Sequence, residues 1–143
     1  MSNMSQKSSR EIDELIADKV MGLKRKSRIH GTTSEIDIYT ANPYFFGSVR
    51  KEDLHHVQPR PYSTNIADAW EVVEKLGRWH GFDFMIVMPD PEQTFHLRTY
   101  EAGWYEATND GPERRVVSDA DTAPLAICLA ALKAKGVTGE QHG

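Results

Sequence analysis

The chain has 143 residues, 39% apolar and 27% charged, which suits one compact domain and is too short for two ordinary ones. Its 21 acidic side chains outnumber 17 Lys and Arg, a formal net charge of −4, which argues against nonspecific nucleic-acid binding. The one cysteine, Cys128, excludes an internal disulfide framework and a thiolate zinc cluster.

No run approaches the roughly 18 apolar residues of a membrane helix, and the first twenty residues hold no uninterrupted apolar stretch. Neither a span nor a secretory leader is expected. Residues 1–9 read as a flexible start, 10–136 as one domain and 137–143 as a flexible tail. Ser8 and Glu11 have capping-box spacing. Ile12, Leu15, Ile16 and Val20 then form one apolar stripe, which predicts a helix over about 10–22 that stops at Gly22. The basic run Lys24-Arg25-Lys26-Ser27-Arg28 follows the helix directly and reads either as cations favoured at a helix end or as a phosphate-binding patch that Arg50, Lys51 and Arg60 could join. Alternation over 36–40 predicts a strand, Tyr44 to Val49 a second short one, and 50–61 an irregular connection.

Ser63, Thr64 or Asn65 can cap a helix over 65–76, with Asp68 in its first turn. Ile66, Ala69, Trp70, Val73 and Leu76 are its expected buried face. Strands are expected at 82–88, 94–100 and 104–107, with a tight turn at Ala102-Gly103. Thr122 and Pro124 open a helix over 122–135 that ends before Gly136, and only Lys133 and Lys135 on it are charged. So apolar a helix needs cover on two sides, from another element or a second subunit. The expected core is Ile12, Leu15, Ile16, Val20, Ile66, Ala69, Trp70, Val73, Phe84, Ile86, Phe95, Leu97, Leu125, Cys128, Leu129 and Leu132. The elements together predict an α/β fold, a three-layer α/β/α sandwich with a central, mostly antiparallel sheet and three main helices.

Three blocks resemble a known family: 14–22 (ELIADKVMG), 62–76 (YSTNIADAWEVVEKL) and 120–134 (ADTAPLAICLAALKA). In that order they are similar to the phage ABA-sandwich domain family of small phage and prophage proteins. The resemblance runs from about residue 11 to 135 and is weakest over the variable segment 24–61. It implies α/β/α layering and a phage or prophage gene acting in a bacterial cytoplasm. It hands over no catalytic residues.

Chemistry-bearing residues are sparse. Adjacent His55 and His56 on a strand would point opposite ways, and no metal-ligand spacing surrounds His30, His80 or His96. Cys128 lies in the most apolar helix and reads as a small core residue. No cofactor or metal is expected. The best candidate site is the start of the second helix, where free N–H groups and the helix dipole favour an anion. Ser63, Thr64 and Asn65 would contact it, Tyr62 would stack on a ring, and Arg60 would fork onto a phosphate. Arg25 or Lys26 would close the other side.

Two function classes follow. One is a non-enzymatic phage accessory protein that binds a host-derived ligand, sequestering a small nucleotide-like signal in an anti-defence role or holding a host protein. The other is a small nucleotide-processing hydrolase or transferase, with a virion-associated role as a third. A homodimer is expected from the apolar surplus of the last helix and of Tyr44-Phe45-Phe46.

Overall fold

The structure is a computed structural model, and it describes residues 7–45, 47–79, 84–89 and 100–137. The first helix, α1 (Ser9–Leu15), opens on the expected capping box: Ser8 Oγ accepts from Glu11 N at 3.1 Å, and Glu11 Oε1 accepts from Ser8 N at 3.3 Å. It runs into a π-helical turn, Ile16–Val20, with Met21 N donating to Ile16 O. Ile12, Ile16, Ala17 and Val20 are buried.

The basic run is not a patch after this helix. It is the strand β1 (Lys24–Ile29), antiparallel to β2 (Glu35–Tyr39) and parallel to the two-residue β3 (Ser48–Val49). Its long side chains flank a central strand, with Lys24, Lys26 and Arg28 facing Tyr39, Asp37 and Glu35. Lys51–Val57 then forms a 3-10 helix where an irregular connection was expected.

The second helix, α2 (Ile66–Trp79), continues past Gly77. Its buried side is Ala69, Val72 and Leu76, whereas Ile66 and Trp70 are 53% and 51% exposed. Two of the five expected core positions are therefore outside. Tyr62, just before the helix and 1% exposed, occupies the interior instead, and α2 is rotated so that Val72 follows it inward.

The strands β4 (Phe84–Pro89), β5 (Tyr100–Thr108) and β6 (Gly111–Ala120) form a second three-stranded sheet, an antiparallel meander. Ala102 and Gly103 lie inside β5 and make no turn. A β-carbon on Gly103 would come within 3.0 Å of the Tyr105 ring, so the glycine lets that ring lie against the strand. The strand expected at 94–100 lies outside the described residues except at Tyr100, and so do Phe95 and Leu97.

The third helix, α3 (Ala123–Ala134), has Thr122 as its cap, with Leu125 N donating to Thr122 Oγ1 at 3.4 Å. At its end Gly136 has φ +81°, and Val137 N reaches back to Leu132 O at 2.8 Å. That left-handed glycine closes the last carbonyls and folds Val137 onto the core. Residues Ala126 to Leu132 are all buried, because α3 packs against β5 and β6 on one side and α2 and the π-helical turn on the other. The mixed α/β class holds. The described strands form two separate three-stranded sheets, not one central sheet. Among the described residues α3 lies between the β5 and β6 strands and α2, so its two-sided apolarity is satisfied within the chain.

Candidate functional site

The start of α2 is built from a turn closed by Thr64 N and Asn65 N on Pro61 O. Asn65 is the cap: its Oδ1 accepts from Asp68 N at 3.1 Å. Ser63 is 2% exposed, its N–H donates to Asp13 Oδ1 at 2.8 Å, and its hydroxyl donates to Ser9 O at 3.3 Å. Asp13 is thus a buried carboxylate tying α1 to the turn before α2. Burial holds its pKa above the ordinary value, against the lowering effect of the Ser63 bonds. Tyr62 does not stand over an open site. It is enclosed in the core, and burial, with Glu71 next, pushes its hydroxyl up to about 12.

Arg60 is exposed and bonded to carboxylates: Nη1 lies 3.2 Å from Asp68 Oδ1 and 3.9 Å from Glu71 Oε2. The structure therefore brings Arg60, Tyr62, Ser63, Thr64 and Asn65 into one short segment. It spends their donors on acidic side chains and backbone carbonyls, leaving Thr64 exposed. Arg25 and Lys26 stand on β1 opposite Ile38 and Asp37. Lys26 Nζ is 2.7 Å from Asp37 Oδ1, so its partner is on β2 and not at α2. A shallow groove of about 270 Å³ beside α2 is lined by Met21, Leu23, Arg60, Tyr62, Glu71, Glu74 and Lys75.

Cys128 is fully buried, and desolvation followed by the Asp13 charge drives its thiol pKa strongly upward. It is a core side chain, held protonated. The rings of His55 and His56 lie with centroids 3.7 Å apart and planes tilted by 44° on the 3-10 helix. Among the described residues no group of three His, Cys, Asp or Glu is arranged to hold a metal ion, and no helix is long and apolar enough to cross a membrane.

Sequence reasoning missed the outward face of α2. Ile66 and Trp70 are one turn apart and both half-exposed. Val73, partly buried, continues the same stripe. Tyr62 carried the signal: an aromatic one turn ahead of a helix competes for the same interior space.

No curated protein and no solved structure matched the chain. A family model described as the phage ABA sandwich domain matches residues 14–132, and the chain belongs to that family.

Proposed function

We propose that this chain works inside a phage-bearing bacterial cell as a non-enzymatic binding domain whose contact is the outward face of α2. One observation carries the reading: Ile66 and Trp70 are 53% and 51% exposed side by side. A half-exposed tryptophan beside an aliphatic neighbour is the residue pattern of a binding anchor. Glu71 and Glu74 stand exposed on the same helix. The fitting partner is a host protein offering an apolar pocket rimmed by Lys or Arg, because opposite charge around an apolar centre sets orientation and encounter rate. The one thiol, sealed in the core, offers no nucleophile to a substrate.

The test is to identify a stoichiometric partner on the full chain, purify it, and measure its affinity for wild type, Trp70→Ser and Ile66→Ser. Trp70→Ser should cost about 2 kcal/mol or more of binding, with melting nearly unchanged. An unaltered affinity removes the reading. So does a Trp70-dependent homodimer in sedimentation, which would make the occupant a second copy.

A further inference from the structure

The sheet β2-β1-β3 differs in charge from the rest of the molecule. Residues 24–50 hold five Lys and Arg against two acids, in a chain of net charge −4. Strand alternation sets Lys24, Lys26 and Arg28 on one face of β1, and His30 follows in the same phase. Lys24 is committed to Asp18 at 3.4 Å and Asp37 at 4.0 Å, and Lys26 to Asp37. Arg28 stands across from Glu35 in the ladder, yet among the described residues it forms no ion pair or hydrogen bond through its side chain.

A groove of about 470 Å³ opens here, lined by Lys26, Ser27, Arg28, Glu35, Gly47 and Ser48. Ser27 Oγ donates to Gly47 O at 2.7 Å, which fixes the wall, and His30 Nδ1 lies 3.0 Å from Ser48 Oγ. The groove thus combines an uncommitted guanidinium fork, an ammonium shared with one carboxylate, and a hydroxyl backed by an imidazole. A guanidinium fork with a second cation and a hydroxyl matches the three oxygens and double charge of a phosphate monoester better than a planar carboxylate. Among the described lining residues Glu35 is the one carboxylate, and it opposes an anion.

We infer that this groove is a phosphate-monoester site, with Arg28 as its principal ligand, Lys26 and Ser48 as supporting contacts and His30 as the group orienting Ser48. The site is independent of the α2 face.

The test titrates the full chain with inorganic phosphate and with O-phosphoserine at constant ionic strength, following backbone amide shifts by NMR. Saturable shifts should centre on Lys26, Arg28, Gly47 and Ser48. Arg28→Ala should weaken binding at least tenfold and Ser48→Ala severalfold. Glu35→Gln should tighten it severalfold, and Arg10→Ala should change nothing, since Arg10 pairs with Glu14 on α1. Acetate should bind at least tenfold more weakly. The inference is overturned if Arg28→Ala and Glu35→Gln both leave the affinity within twofold, if acetate matches phosphate, or if the shifts centre on Asn65 to Asp68.

Discussion

The α3-centred unit and the sheet of β1, β2 and β3 are built on different physics. Around α3, seven consecutive residues from Ala126 to Leu132 are buried, and Ile12, Ile16, Tyr62, Val72, Leu76 and Trp104 converge on the same cluster. The β1 sheet buries Ser27, Ile38 and Val49, none of which belongs to that cluster. Tyr39 and the Thr40 N to Leu23 O bond join it to the main body. Its visible fastening is a charge ladder, Lys24 and Lys26 against Asp37. The first region gains from area removed from water, about 25 cal/mol per Å². The second relies on pairs that solvent and salt screen. Stability belongs to the first, and the second has side chains to spare for a ligand.

The largest expected effect lies in the first region. Leu132→Ala, at 0% exposure, should cost about 2–5 kcal/mol, because a buried leucine leaves a cavity that closes only in part. Urea denaturation followed by tryptophan fluorescence and by far-UV circular dichroism should show one shifted transition. If the cost is below 1 kcal/mol by this order of magnitude, α3 is not the centre of the core.

Next is Asp13. Asp13→Ala strips the acceptor from the buried Ser63 N–H, and an unsatisfied buried donor costs about 1–3 kcal/mol. Asp13→Asn keeps an oxygen there and removes the charge. The folded-state pKa of Asp13 is raised above 3.8, so the native state holds this proton more tightly than the unfolded chain. Its contribution is fully present below pH 3.8 and is lost as pH rises through the elevated folded value. Melting curves from pH 3.5 to 7.5 should therefore show Asp13→Asn gaining on wild type as pH rises. A gap that narrows with pH would contradict the desolvated carboxylate.

Gly136→Ala comes third, at about 1–2 kcal/mol, since φ +81° sets a β-carbon against the following carbonyl. The effect should appear as a lowered unfolding midpoint with an unchanged denaturant slope. The smallest shift separates the two regions most directly. Asp37→Asn should lower the midpoint slightly at low salt and not measurably at 1 M NaCl, while amide exchange of Arg25 and Ser27 accelerates and that of Ala102 and Trp104 does not. Equal acceleration in both regions would mean that they open as one unit.

The mixed class and all three helices were legible in the sequence, as was the two-sided burial of α3. Ser8-x-x-Glu11, Thr122 and Gly136 are read correctly because caps act on backbone groups within four residues of themselves. Three readings failed for one reason. Lys24 to Arg28 reads as a helix-end patch, yet it is a strand, and its Lys24 and Lys26 pair with Asp37 on the neighbouring strand. Ala102-Gly103 looked like a turn, whereas the glycine accommodates the Tyr105 ring. The stripe Ile66, Trp70, Val73 and the stripe Ala69, Val72, Leu76 are both helical in period.

The candidate site was partly legible. Asn65 as cap and Arg60 as an exposed fork are where the sequence puts them, but Arg60 is taken up by Asp68 and Glu71, and the Ser63 N–H by Asp13 from α1. By itself the sequence determined where helices begin and end and which one is apolar on every side, since those depend on local hydrogen bonding and on composition. Only the tertiary structure decided which side of α2 faces water, that α3 is covered by β5 and β6 on one side and by α2 on the other, and that the basic run is a strand. Each of these depends on which distant groups compete for the same interior volume or the same charge, and no local window of residues contains that competition.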